Sequence, residues 1–446
     1  MKHTSQQVDT LIHAGWIIPV APQGLVLKDH SLAITDGLIS ALLPTDQATA
    51  LRATDEYVLS DHALIPGLIN AHGHAAMTLL RGYADDVALT PWLQNYIWPV
   101  EGRHMGEDFV RSGTELAIAE MLRCGTTCFS DMYFFPDVVA GLCQKLGVRS
   151  QLSFPVLDFP SAWGNDADDY IAKGLALRDN FKHSELVTVV FGPHAAYTVN
   201  EENLTKVSIL AAELDLPVQI HLHETANEVD RFVSQHGERP IERLNRIGLL
   251  GPKTQCVHMT AIIDSDIELL SSNRASVIHC PQSNMKLASG RCPVDRLISA
   301  GITVGLGTDG AASNNDLNLF GEMQTAALLA KLSTADATVL TADRALHMAT
   351  LGSAQALGID HLVGSLEPGK AGDVVAVDMS SIEMQPIYNP VSQLVYAANG
   401  SQVTDVWVAG ARLMAQRELL RMDLHRLREQ THQWQHRIST QEPTSP

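Results

Sequence analysis

PGLINAHGHAAM (residues 66–77) is the stretch on which the rest of the chain is read. An apolar run over 64–71 ends in two histidines spaced two apart, and a turn followed by a helical pattern comes next. The same beat recurs down the chain, with strand-like runs at 64–71, 126–132, 148–156, 187–192, 217–222, 255–259, 275–280 and 302–308. Amphipathic stretches lie between them, for example 113–123, 203–214, 239–247 and 264–272, with Pro and Gly at the joins. Strand alternating with helix eight times predicts an α/β fold, a (β/α)8 TIM-like barrel, with a doubly wound sheet as the runner-up. From His72 at the end of the first run to Asp309 at the end of the eighth, the spacing is about 34 residues per interval, near the ~30 of a βα unit.

Outward from this core, both chain ends read differently. LIHAGWIIPV and LAITDGLISALLP near the start, and GDVVAVD and VTDVWVAGARLM near the end, are strand-like with Gly turns. They are expected to pair into one small β-sandwich domain beside the barrel. The expected division is 1–61 for the first part of that domain, 62–370 for the barrel, and 371–446 for the second part plus a tail. The stretch QTHQWQHRISTQEPTSP (430–446) is polar and predicts a short helix fraying into a disordered end.

The chain has 446 residues, 45% of them hydrophobic and 18% charged, with no 20-residue uncharged apolar run. That composition supports a large buried core and gives no membrane span. Fifty acidic residues against 31 basic ones leave a net charge of −19, and no basic patch interrupts it, so neither nucleic acid nor an anionic membrane surface is an expected partner. The six cysteines form no C-x-x-C pair, and MKHTSQQVDTLIHAGW lacks the apolar core of a signal peptide. Buried structural thiols in a reducing cytoplasm are expected.

His72 and His74 sit at i and i+2, so on a strand both imidazoles point to one side and can converge on one metal ion. Further candidates stand at other strand ends: IHLHETANE offers His221, His223 and Glu224, CVHM offers His258, and GLGTDGAASNND offers Asp309. The strand ends of a barrel ring a single site. Imidazoles with one carboxylate and no thiolate suit Zn²⁺, with Fe²⁺ or Mn²⁺ as alternatives, and the expected ligands are His72, His74, His221 and Asp309. A water on such an ion loses its proton near neutral pH. Glu224 is placed to move protons between that water and a substrate, and His258 to orient the water or polarise the leaving group. A packing role is the better reading for His223 and His279.

With these residues in place, the chain resembles the amidohydrolase superfamily, and within it the methylthioadenosine/S-adenosylhomocysteine deaminases. The strings that carry the resemblance are PGLINAHGHAAMTLLRGYADD, WLQNYIWPVE, GPHAAYTV, HLHET, CPQSNMKLASG, GTDGAASNNDLNLFGEM and EPGKAGDVVAVD, spread over nearly the whole chain. The resemblance implies one zinc held by His72, His74, His221 and Asp309, and substrate contacts at Glu101 and His194, with Trp92 nearby. A carboxylate at Glu101 can accept both ribose hydroxyls. The H-x-E followed by P-C-x-x-C pattern of deaminases that edit polynucleotides is absent.

The expected activity is zinc-dependent hydrolytic deamination of 5′-methylthioadenosine to 5′-methylthioinosine and ammonia, with S-adenosylhomocysteine or adenosine as weaker substrates. Glu224, His258 and Asp309 carry the proton transfers, while Glu101, His194, Glu224, Asp309 and Trp92 contact the nucleoside. This is a hydrolase of carbon–nitrogen bonds in cyclic amidines, serving nucleoside salvage, and a homo-oligomer is expected. The alternatives are a hydrolase of guanine or an s-triazine and, from another class, a noncatalytic assembly protein. Between Arg149 and Arg178 the chain has no arginine, but it has Phe154, Phe159, Trp163, Asp158, Asp166, Asp168 and Asp169. An apolar and acidic rim favours a methylthio group over a carboxylate-bearing tail. Arg291 in KLASGRCP is the cation set against that preference.

Overall fold

The computed structural model describes residues 7–440. Four strands open the chain: β1 (Gln7–Ile17), β2 (Leu27–Thr35), β3 (Leu38–Pro44) and β4 (Arg52–Pro66). Eight follow in the middle: β5 (Leu68–Asn70), β6 (Thr126–Asp131), β7 (Arg149–Val156), β8 (Val187–Pro193), β9 (Val218–Leu222), β10 (Thr254–His258), β11 (Ser276–His279) and β12 (Val304–Leu306). The last four are β13 (Val374–Asp378), β14 (Val403–Val408), β15 (Ala411–Ala415) and β16 (Glu418–Leu419).

β5 to β12 form one parallel sheet in sequential order, with helices between successive strands, as a (β/α)8 barrel requires. Its seam is drawn shut between the first and eighth strands. Ala71 N–H donates to the Leu306 carbonyl at 2.9 Å and Asp309 N–H to the His72 carbonyl at 3.1 Å. The Asn70 side chain bridges the same seam, accepting from Thr308 N–H at 2.9 Å and donating to Thr308 Oγ1 at 2.8 Å. Gly307 permits this approach, since a Cβ there would lie 2.8 Å from the His72 carbonyl oxygen.

The first strand-like run, expected over 64–71, is divided. β4 runs through Pro66 in the other sheet, and the barrel strand begins at Leu68. The chain changes sheet at Gly67, where a Cβ would come within 1.9 Å of Thr127 Oγ1, so only a residue without a side chain fits. Periodicity cannot register such a break, because both halves are equally apolar.

The remaining strands make a second sheet in the order β16-β15-β14-β13-β4-β1-β2-β3, so the two chain ends meet at β13 and β4, paired antiparallel. Ile12, Leu32, Ile34, Leu64, Val374 and Trp407 form a core of their own on it. A buried ion pair ties this sheet to the barrel: Arg149 on β7 clasps Asp373, just before β13, through Nη2–Oδ1 at 3.0 Å and Nε–Oδ2 at 3.1 Å.

The C-terminal helix spans Leu424–Thr440, longer than the short fraying element expected there. It buries Leu427, Trp434 and Ile438 on one face, and Trp434 meets Phe109 of the helix Glu107–Arg123 edge-on at 5.4 Å. Three apolar residues spaced seven and four apart are enough to dock an otherwise polar helix. The expected disordered end at 441–446 lies outside the described residues, as do residues 1–6 of the leader reading. All six cysteines are free, and among the described residues no helix is long and apolar enough to cross a membrane.

Candidate active site

His72 and His74 follow β5, His194 follows β8, His221 lies in β9 with Glu224 two residues beyond it, His258 ends β10, and Asp309 comes three residues after β12. The carboxyl ends of these parallel strands open on one side of the barrel, so side chains distant in sequence meet there. Two of them reach the centre through unusual backbone: His258 has φ 78° and Asp309 φ 63°, in the left-handed region that non-glycine residues rarely occupy.

The cluster is tight. His72 Nε2 lies 3.2 Å from His221 Nε2 and 3.5 Å from Asp309 Oδ1, and His74 Nε2 lies 3.1 Å from the same Asp309 oxygen. Outer partners aim the rings. His74 Nδ1 donates to the Met132 carbonyl at 2.7 Å and His221 Nδ1 to the His194 carbonyl at 2.9 Å, which turns both Nε2 atoms inward. Asp309 Oδ2 accepts from the hydroxyls of Ser283 and Ser313, each at 2.7 Å, leaving Oδ1 for the imidazoles.

Burial raises the Asp309 carboxyl, but the His72 and His74 imidazoles beside it outweigh that and hold the group well below the usual carboxylate range. His74 shows the counterpart: burial pulls it down, and its hydrogen bond to Asp309 brings it up to about 9. Burial leaves His72 at about 4 and His221 well below the ordinary imidazole value. The floor of the site therefore stabilises one positive charge beside Asp309, amid inward-facing nitrogens. Three imidazoles and a carboxylate, with no thiolate, fit a zinc ion.

His258 falls in a second group of close donors with His72 and His221. Its outer partner is a side chain, the Asn284 amide, 3.0 Å from His258 Nδ1. His258 Nε2 faces Glu224 Oε2 at 3.8 Å, where the ring can exchange a proton with the site. Burial, and next the Asp309 charge, push the Glu224 carboxyl up to about 8.

Above this floor is a cavity of about 290 Å³, lined by His74, His194, His221, Glu224, His258 and Asp309 on the barrel side and by Trp92, Trp98, Glu101 and Phe159 across from them. His72 lies fully buried beneath it. Glu101 comes from the helix Trp98–His104, which with the short helix Leu89–Trp92 covers the barrel mouth. Its Oε1 accepts a hydrogen bond from the Tyr133 hydroxyl, and burial raises its carboxyl to about 7.

Residues 63–413 match the model of the amidohydrolase family. The chain belongs to the amidohydrolase family. It is 49% identical over 432 residues to a 5-methylthioadenosine/S-adenosylhomocysteine deaminase of Teredinibacter turnerae, covering 97% of this chain and 98% of that one. A protein of the same name from Saccharophagus degradans is 50% identical over 434 residues, 97% of each chain. Among solved structures, a zinc-bound adenosine deaminase from Xanthomonas campestris superposes with a TM-score of 0.97 at 48% identity, covering 98% of this chain and 99% of that one. A zinc complex of atrazine chlorohydrolase from Arthrobacter aurescens, at 22% identity and TM-score 0.89, covers 95% and 99% and shares the fold.

In this amidohydrolase the sequence-expected residues gather around one cavity, including Trp92 and Glu101 from outside the barrel strands. His223 turns away, accepting from Ile241 N–H at 3.2 Å and lying 3.6 Å from Asp266, and so fills the packing role expected of it. His279 is likewise buried. Arg291 does not line the cavity, and its guanidinium lies 3.7 Å from Asp295 instead. Of the expected rim residues between Arg149 and Arg178, Phe159 reaches the cavity. Asp158 is held by Asn200 N–H and Asn203, Asp168 by Lys206 and Asp169 by Lys173. The rim is thus apolar rather than acidic, because local hydrogen bonds engage the carboxylates elsewhere. Tyr133, Ser283, Ser313 and Asn284 escaped the sequence reading. Asn284 and Ser283 sit in CPQSN and Ser313 in GAASNN, where polar residues follow strands with no periodicity to explain them.

Proposed function

We propose that this amidohydrolase deaminates the adenine ring of 5′-methylthioadenosine, giving 5′-methylthioinosine and ammonia. The observation that carries the reading is the single cavity in which His72, His74, His221 and Asp309 make the floor while Glu101 and Tyr133 face them from the mouth. The near-full-length relatives named for this activity support it.

His72, His74, His221 and Asp309 would hold zinc, which supplies the Lewis acidity that brings a water's pKa toward neutrality. Glu224, with its carboxyl pushed up toward 8, holds a proton at neutral pH and delivers it to N1 of the purine as the ring loses aromaticity. His258 and Asp309 take up the proton of the attacking water. One water proton passes on to the amino nitrogen, which leaves as ammonia when the exocyclic C6–N bond breaks, the other restores Glu224, and C6 keeps the oxygen. Glu101 accepts the ribose hydroxyls, and Tyr133 steadies its other contacts by donating to Oε1. His194, held through Nδ1 to Thr198 Oγ1 at 2.9 Å, faces the nucleoside across the cavity, and Trp92 gives an apolar wall.

Guanine or an s-triazine would suit the same chemistry, but a buried carboxylate opposite the floor favours a substrate bearing a diol. A homo-oligomer is also part of the proposal. The test of the activity is ammonia release from a panel of adenosine derivatives, guanine and triazines. 5′-Methylthioadenosine is expected to lead, and faster release from guanine or a triazine overturns the assignment.

A further inference from the structure

Beneath the histidines, where barrel interiors are ordinarily layers of branched apolar side chains, three glutamines stand in a row. Gln219 on β9, Gln255 on β10 and Gln151 on β7 are all fully buried. Gln151 Nε2 donates to the Leu357 carbonyl at 2.9 Å. Gln255 Nε2 donates to Gln151 Oε1 at 2.9 Å, and Gln219 Nε2 to Gln255 Oε1 at 2.8 Å. Gln219 Oε1 lies 2.8 Å from His72 Nδ1.

The direction of this relay is not free. A backbone carbonyl can only accept, so Leu357 takes the amide nitrogen of Gln151 and turns its oxygen toward Gln255. Gln255 must then present nitrogen to Gln151 and oxygen to Gln219, and Gln219 must present nitrogen to Gln255 and oxygen to His72. A second carbonyl gives the same answer from the near end, because Gln219 Nε2 also donates to Ala71 O at 3.0 Å, with Ser130 Oγ at 3.1 Å. Two carbonyls at opposite ends of the row thus both require an oxygen at His72 Nδ1. His74 and His221 are set directly by backbone carbonyls, whereas His72, the most deeply buried of the three, has a side-chain oxygen in that place.

We propose that Gln219 is a positioning residue that holds His72 in the tautomer with its proton on Nδ1 and its Nε2 lone pair toward the floor of the site, and that Gln255 and Gln151 keep the Gln219 amide from turning over. The inference rests on the reading of His72 as a metal ligand. Outer-shell partners of metal-bound histidines typically contribute about 10- to 100-fold in affinity. Gln219→Met, which keeps the length and removes the acceptor, is expected to lower zinc affinity by that amount, measured by competition with a chromophoric chelator. Gln255→Met, which leaves Ala71 to hold Gln219, is expected to lower it by severalfold less.

If the relay only fills space, both variants melt lower and bind zinc as tightly as the parent, which overturns the proposal. A measurement on the unaltered zinc-loaded protein guards against a variant that fails to fold. In a long-range ¹H–¹⁵N histidine spectrum, with His72 assigned by its loss in His72→Gln, the ring proton is expected on Nδ1, and a proton on Nε2 overturns the proposal. Neither readout uses a substrate. A parent protein that binds no zinc therefore refutes the metal-site reading, whereas a zinc-binding parent with indifferent Gln219 variants refutes only the relay.

Discussion

Glu224 Oε2 and His258 Nε2 face each other at 3.8 Å across the floor of the cavity, one a carboxyl that burial pushes up to about 8 and the other an imidazole whose Nδ1 lies against Asn284. An acid and an imidazole placed at one reacting centre divide the proton transfers between them. Glu224→Gln keeps the shape and hydrogen bonding of the first and removes its transferable proton. Turnover is expected to fall on the order of 10² or more with zinc content retained, and near-native turnover would exclude Glu224 from the mechanism.

Metal removal should abolish ammonia release while leaving most of the fold, because the ligands stand in or just beyond strands that pack without help from an ion. Elemental analysis paired with circular dichroism before and after chelation checks both halves. A sample verified as metal-free that still turns over at the original rate contradicts the assignment of His72, His74, His221 and Asp309.

Glu101→Gln should weaken substrates with a free 2′,3′-diol and spare their deoxy analogues, with equal losses for both counting against the ribose contact. The pH profile carries the same information. Burial raises the Glu101 carboxyl to about 7, so the charged acceptor predominates only above that value. kcat/KM for 5′-methylthioadenosine is expected to rise with pH through about 7, and this component of the acid limb should vanish in Glu101→Gln.

The cavity wall carries Phe159, Trp98 and other apolar side chains and no arginine or lysine, so a 5′ substituent directed at it would meet no cationic partner. A second cavity of about 280 Å³ shares Leu89, Leu93, Trp98 and Tyr197 with the first and carries Arg231, which has no carboxylate partner among the described residues. The ratio of kcat/KM for 5′-methylthioadenosine over S-adenosylhomocysteine should exceed about tenfold, roughly 1.4 kcal/mol. Arg231→Glu should raise it further by repelling the amino-acid carboxylate. A ratio at or below one refutes the preference.

Much of the site was legible before folding was considered. His72, His74, His221, His258 and Asp309 announce themselves because each ends an apolar run, and a barrel brings all strand ends to one face. Glu101 was different. It lies on the helix Trp98–His104, outside the strand rhythm, and nothing local separates it from a solvated acid, so its place over the cavity depended on a resemblance. Arg291 and the acidic rim show the opposite error, since charges near the site in sequence are spent on Asp295, Asn200, Lys173 and Lys206.

The sequence by itself determined the barrel, the second sheet built from both chain ends, and the donors that gather at the floor of the site. All three follow from the spacing of apolar runs and from the residue that ends each one. The tertiary structure alone decided how those donors are used. Whether an imidazole offers a lone pair or a proton depends on what its other nitrogen touches: Met132 O for His74, His194 O for His221, Gln219 for His72 and Asn284 for His258. Those partners lie 58, 27, 147 and 26 residues away along the chain. A hydrogen bond acts only over about 3 Å, so a pairing this distant exists only once the chain has folded.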